Sequence, residues 1–263
     1  MTNMYQDYPL VITIYMFFIG LIVGSFLNVV ILRLPAIEDL ADPHGETPLP
    51  KTLMGRSCCP HCGSKIHWKM NIPLISWIAV NGKSLCCNKS IHWRYPAIEL
   101  VSAIIAAGAV IIWGFNPAVI VGVLLAWIAL CLIILDFEHL ILPDKLTYAF
   151  LWLTLLSATQ NVFTDPGTAI FGAVAGFLFM GLIAAVFRVV CKREGLGGGD
   201  YKLMAGLGAL AGPLAIPGIM GGACVTFIIY ALISRYGNRG EYLPMGPFLI
   251  LGFMGWMLVG PYY

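Results

Sequence analysis

From Leu10 to Leu32 the chain carries no charged residue, a stretch long enough to cross a bilayer as one helix. Seven more spans are expected near 97–114, 118–135, 146–160, 168–188, 201–215, 217–234 and 246–260. Pro213 and Pro217 interrupt the sixth and seventh of the eight. Only 11% of the residues are charged and mean hydropathy is +0.86. A soluble domain carries about 25% charged residues, so a soluble globular fold is excluded. The fold class is an all-α polytopic membrane protein of about eight transmembrane helices with a small cysteine-containing cytoplasmic lobe. Residues 1–9 lack Lys and Arg, and the first apolar stretch is too long for a signal peptide and has no small-residue cleavage site. It is expected to be retained. Three parts follow: 1–32 as first transmembrane helix, 33–96 as lobe, and 97–263 as a membrane core of about seven helices.

Positive charge sets the orientation. With the amino terminus outside, the inner segments are about 33–96, 136–145, 189–200 and 235–245. All 15 Lys and Arg fall in these or within a turn of them: eight in the first, then Lys145, Arg188, Lys192, Arg193, Lys202, Arg235 and Arg239. The connections around Phe115-Asn116 and 161–166 carry none. By the positive-inside rule both termini lie outside, and Asp136 and Asp200 lie on one, cytoplasmic, side.

Those two aspartates are the expected catalytic residues. Asp136 closes the apolar run Val121–Leu135, and Asp200 follows Gly197-Gly198-Gly199. Carboxylates at the ends of membrane-length helices are costly to desolvate and mark functional sites. Brought close together, two of them share one proton, which suits activation of water and protonation of a leaving amine. The plainer alternatives are an N-cap for Asp200 and a polar helix stop for Asp136. Gly197 and Gly199, which let backbone approach, and Lys202 are expected to shape the site or touch substrate. Asp144, placed to cap the next helix, and Glu138 are decoys. His139 is expected to be a juxtamembrane surface residue. The glycines at 195–199 follow no strand, which argues against a dinucleotide loop. Gly208 with Gly212, and Gly218 with Gly222, are spaced to let helices pack closely.

The lobe holds Cys58-Cys59-Pro60-His61-Cys62-Gly63 and then Cys86-Cys87. Paired cysteines about 20 residues apart have the spacing of a structural zinc site, with Cys59, Cys62, Cys86 and Cys87 as ligands. A metal would hold together a lobe that lacks a core. Ser84 stands where a second C-x-x-C would begin, so Cys86 is the weakest ligand, with His61 or Cys58 as substitutes and a metal-free lobe of thiols as the alternative. His67 and His92 read as packed or surface residues, and Cys131, Cys191 and Cys224 as small hydrophobes. Asn28 needs partners among apolar neighbours. Arg33 marks the membrane boundary, and Glu99 reads as an acid near the amino end of its helix. These three are the weak candidates for holding a cofactor.

The chain resembles the type IV prepilin peptidases, aspartic membrane proteases of the Gly-x-Gly-Asp kind. The resemblance runs through Gly24–Pro35, the Cys59/Cys62 lobe, Asn71-Ile72-Pro73-Leu74-Ile75-Ser76-Trp77, Arg94-Tyr95-Pro96 with Glu99, Asp136 to Leu142-Pro143-Asp144, and Gly197-x-Gly199-Asp200 with Lys202-Leu203. It implies cleavage of a short basic leader after a glycine in prepilins or type II secretion pseudopilins, at the inner face of the bacterial inner membrane. It also implies methylation of the new amino-terminal residue from S-adenosylmethionine. Asp136 and Asp200 match the two catalytic aspartates. Ser84 departs from the family's second C-x-x-C pair. A proton- or ion-coupled transporter is the rival reading, but such sites tend to lie at the bilayer midplane. Membrane lipid is an expected partner and nucleic acid is not.

Overall fold

The computed structural model describes residues 9–38, 52–59, 61–192, 197–234 and 243–259. Residues 1–8, Lys51, Pro60, Arg193, Gly195, Arg235 and Arg239, which figure in the reading above, lie outside them. The described chain is helical: α1 (Pro9–Ile37), α2 (Ile75–Ala79), α3 (Arg94–Trp113), α4 (Pro117–His139), α5 (Asp144–Ala158), α6 (Pro166–Cys191), α7 (Gly198–Ala211), α8 (Ile216–Ser234) and α9 (Gly246–Val259). Two 3-10 turns, Trp68–Asn71 and Pro213–Ala215, complete it, and the only β pairing among the described residues is two isolated bridges in the lobe.

Every expected span contains a helix, but the helices differ in length. Among the described residues, five segments are long and apolar enough to cross a membrane: Pro9–Ile37, Arg94–Trp113, Pro117–His139, Pro166–Cys191 and Pro213–Ile233. The other three, α5 with 15 residues and α7 and α9 with 14 each, rise only about 21–23 Å at 1.5 Å per residue. A hydrocarbon core is about 30 Å thick. The expected span 201–215 stops at Ala211 because Gly212 turns to φ +82° and Pro213 follows. Large apolar side chains such as Phe18, Ile22, Trp113, Leu178 and Val189 face outward, as lipid rather than water would allow.

The chain forms two compact units, Met1–Trp127 and Ile128–Tyr263, with the division inside α4. In the first, α1 runs along α3. A Cβ at Gly20 would come within 2.5 Å of Ala103 Cα, and one at Gly24 within 2.7 Å of Glu99 Cα. In the second, α7 lies between α5 and α6, and α8 packs on α9. Gly172 of α6 and Gly208 of α7 touch backbone to backbone: a Cβ on Gly172 would lie 2.0 Å from Gly208 O, and one on Gly208 lies 2.3 Å from Gly172 O. Lipid supplies little hydrophobic drive between helices, so this close approach gives the dispersion contact that joins them. The small-residue contact thus pairs Gly208 with another helix's glycine. Gly212, which the sequence spacing grouped with it, joins the same contact, its Cα lying 3.2 Å from a Cβ placed on Gly172, and it also ends α7.

Candidate active site

Both expected catalytic aspartates belong to the second unit and both are buried, Asp136 to 5% exposure and Asp200 to 6%. Asp136 lies in the last turn of α4. That helix closes when Leu140 takes φ +55° and donates its N–H to Asp136 O at 2.9 Å. The Asp136 carboxylate accepts from Gly246 N–H at 2.8 Å, with Met245 N–H a further donor, so the amino end of α9 faces it. Asp200 is the third residue of α7, and its carboxylate reaches back to accept from Gly197 N–H at 3.1 Å. It is therefore not the N-cap, which is Gly197. It plays the reciprocal half of a capping box, in which an acid three residues in satisfies the cap's N–H. The helix ends that carry the two carboxylates meet across Leu142, which packs against Gly199 beside Asp200 and against Gly246 beside Asp136.

One side chain ties the two helix ends together. Leu142, between α4 and α5, packs under Gly199, where a Cβ would lie 2.4 Å from Leu142 Cβ and 2.9 Å from its carbonyl oxygen. The same leucine reaches Gly246, where a Cβ would meet Asp136 Oδ2 at 3.0 Å and Leu142 Cδ2 at 3.1 Å. Gly199 thus has a packing reason to be glycine, while Gly197 gives its N–H. Met245 and Gly246 were not picked out from sequence, and Leu142 entered only as part of the Leu142-Pro143-Asp144 stretch, with no role at the site. The signal present was a glycine opening a helix directly before Pro247, with proline favoured in a first turn.

Asp144 does not cap α5; Pro143 is the cap, with no side-chain cap bond. Asp144 instead pairs with Lys202 of α7 at 2.5 Å, and the Lys202 ammonium sits 4.8 Å from the centre of the Tyr148 ring. Lys202 therefore braces α7 against α5. Glu138 and His139 are exposed.

In the first unit, the Asn28 amide donates to Tyr95 O at 3.0 Å and to Gly24 O at 3.3 Å. Its Oδ1 is buried without a partner, as is Ser102 Oγ. Arg33, 3% exposed, tethers the segment that follows α1. Its guanidinium donates to the carbonyls of Thr52, Leu53, Gly55 and Arg56 at 3.0–3.5 Å. Glu99 lies beyond the first turn of α3, which corrects the helix-end reading. It is buried and accepts from Leu74 N–H at 2.8 Å and from the Ser25 hydroxyl. Leu74 has φ +58°, so Glu99 pins a backbone turn that L residues resist. Of these three, only Asn28 keeps an unanswered buried acceptor.

In the lobe, the sulfurs of Cys59, Cys62, Cys86 and Cys87 all lie within 4.8 Å of one another, with Cys62 and Cys86 3.2 Å apart and Cys59 and Cys87 3.7 Å apart. A tetrahedral zinc with Zn–S of about 2.3 Å needs sulfurs about 3.8 Å apart, so the donor set fits. Neither Cys58 nor His61 joins the cluster. Burial works to raise the Cys59 thiol, yet hydrogen bonds with His61, Ser84, Cys62 and Cys86 outweigh it and hold the group down at about 6. Elsewhere, Cys131 is buried and Cys191 and Cys224 are exposed.

The architecture is that of a helical membrane protein with paired buried carboxylates on adjoining helix ends. Residues 123–232 match the type IV leader peptidase family, and residues 18–113 match the bacterial peptidase A24 N-terminal domain. Over 262 residues the chain is 38% identical to the prepilin leader peptidase/N-methyltransferase of Dichelobacter nodosus, covering 92% of this chain and 90% of that one. It is 37% identical over 250 residues to the enzyme of the same name from Pectobacterium carotovorum subsp. carotovorum, covering 89% and 88%. It is 36% identical over 258 residues to the type 4 prepilin-like proteins leader peptide-processing enzyme of Escherichia coli O78:H11, covering 95% of each. No solved structure matches. The chain belongs to the type IV leader peptidase family. The transporter reading is left without support.

Proposed function

We propose that this protein is a peptidase and N-methyltransferase that removes the basic leader of type IV prepilins or type II secretion pseudopilins and methylates the new amino terminus. The observation that carries the reading is the pair of buried aspartates, Asp136 held by the N–H groups of Met245 and Gly246 and Asp200 by that of Gly197, each at a helix start. Asp136 and Asp200 hold a water between them and share one proton, titrating as a unit. The ionised partner takes a proton from the water as it attacks the scissile carbonyl. The protonated partner hydrogen-bonds the carbonyl oxygen, and a proton then passes to the leaving amine. Gly197 and Gly199 keep Asp200 in place, and Lys202 holds α7 to α5. The substrate's apolar helix lies against the spans while its positive leader stays in the cytosol.

The assignment of parts is 1–32 as first transmembrane helix, 33–96 as lobe and 97–263 as membrane peptidase core. The lobe and the dyad face the cytoplasm and both termini face outward across the inner membrane. Cys59, Cys62, Cys86 and Cys87 hold one structural zinc, which supplies folding energy to the lobe. S-adenosylmethionine supplies the methyl group when bound. Asn28 is the residue of the first unit best fitted to meet it, because its Oδ1 is unpartnered. Arg33 and Glu99 serve that region by fixing the loop at 52–56 and the turn at Leu74. Incubation of purified protein with a prepilin and a labelled methyl donor, read by mass, tests the reading. Leader loss and an added methyl are expected, and an intact prepilin would overturn it.

A further inference from the structure

The cysteine lobe is built twice. In its first turn, Cys59 N–H donates to Ser64 O at 2.9 Å, Gly63 N–H to Cys59 O at 2.9 Å and Ile66 N–H to Ser57 O at 2.8 Å. In its second, Ser84 N–H donates to Lys89 O at 2.8 Å, Asn88 N–H to Ser84 O at 2.8 Å and Ile91 N–H to Gly82 O at 2.7 Å. The bridges Cys58–Lys65 and Lys83–Ser90 correspond in the same way. So do the positive φ angles, +70° at Gly63 and +56° at Asn88. One constant shift of 25 residues, that between Cys59 and Ser84, superposes every one of these contacts. It carries Cys62 onto Cys87 and His61 onto Cys86.

The first turn presents its thiols from its first and fourth positions. By the repeat, the second should present donors from Ser84 and Cys87. A neutral hydroxyl is a poor ligand for zinc beside thiolates. Cys86 Sγ lies 3.0 Å from Ser84 Oγ and 3.2 Å from Cys62 Sγ, so its sulfur is at the side of the seat that Ser84 fills. His61, its counterpart in the first turn, stays exposed outside the cluster. We infer that Cys86 has taken over the metal seat that the repeat gives to position 84, and that Ser84 is kept as a hydrogen-bond partner of the cluster's sulfurs. Ser84 Oγ also lies 3.6 Å from Cys59 Sγ, so one hydroxyl serves a thiol from each turn. This rests on the reading of the lobe as a zinc site. It adds that the site is a displaced double knuckle, with a serine as outer support.

The test uses full-length protein in detergent: wild type, Cys86→Ala, Ser84→Ala, and the double variant Ser84→Cys with Cys86→Ala. Zinc content is measured after a graded chelator challenge, and the thiolate-to-metal absorption is measured after cobalt replacement. Wild type should hold one metal with four-thiolate absorption. Cys86→Ala should release zinc at a chelator concentration at least about tenfold lower and lose one thiolate's share of absorption, while Ser84→Ala should lose less. The double variant should regain both signals, because it restores two plain C-x-x-C turns. That recovery also shows that the single variant's loss was not misfolding. Wild-type retention in Cys86→Ala, or no recovery in the double variant, would overturn the relocation while leaving zinc in place. A wild type with no metal would overturn the zinc reading itself.

Discussion

Replacing an aspartate with asparagine keeps its shape and its acceptance from backbone N–H groups but removes the ionisable group. Asp136→Asn and Asp200→Asn are therefore expected to lower leader cleavage by on the order of a thousandfold or more while the proteins insert normally. Asp144→Asn breaks an ion pair whose acid is 62% exposed, and such pairs contribute little, so much of the activity should remain. Glu138→Gln, at an exposed position, should behave likewise. A cleavage assay of the four variants at matched expression decides it: equal loss in all four means the pair is misassigned. Gly246→Ala is the finer probe. Its methyl would sit 3.0 Å from Asp136 Oδ2 and push on Leu142, so a drop in kcat of about tenfold or more is expected with little change in substrate affinity. An Ala variant with unchanged kcat would show that Gly246 does not position the carboxylate. The aspartates were legible in the chain because charge at the end of an apolar run is conspicuous. Gly246 and Leu142 were not, because their roles arise from contacts between segments far apart in sequence.

Elements were legible to the extent that hydropathy encodes them. Each expected span holds a helix, and the stop at Ala211 came from a backbone turn at Gly212 that hydropathy does not weigh. Close packing was harder to place. Gly208 was singled out, yet its partner Gly172 lies on another helix, and one sequence cannot pair residues across helices. Gly172→Ala should therefore force α6 from α7 and cost about 1–3 kcal/mol, as overpacking does. A clear fall in the detergent melting temperature, with cleavage lost earlier on heating than in wild type, is the expected outcome. An unchanged melting curve would mean that the two backbones do not meet. The lobe fails differently. Cys59→Ser removes a buried thiol of the proposed zinc site, so zinc should be lost and the lobe loosened, and processing should fall through lost folding energy. Metal analysis alongside limited proteolysis checks this. Full zinc content in that variant would remove Cys59 from the site.

For the molecule as a whole, the residues expected to serve the two activities fall into different units. Asp136, Asp200 and the groups that hold them belong to Ile128–Tyr263. The cysteine lobe, Asn28, Arg33 and Glu99 belong to Met1–Trp127. The family matches divide the chain at nearly the same place, 18–113 and 123–232. In the proposed mechanism peptide hydrolysis needs the shared proton of the dyad, whereas transfer of a methyl group to an amine needs a neutral amine and a donor. Loss of the dyad's ionisation should then leave methylation intact. Asp136→Asn and Asp200→Asn, given a pilin whose leader has already been removed and a labelled methyl donor, should add label at a rate within about threefold of wild type, a change under 1 kcal/mol. Given intact prepilin, the same variants should add none, because the amino group to be methylated is still buried in a peptide bond. Asn28→Leu should show the reverse pattern: leader cleavage retained and label incorporation reduced with a raised requirement for donor. If the aspartate variants fail on pre-cleaved pilin while remaining folded and zinc-loaded, the two reactions share the dyad, and the division of labour between the units is wrong.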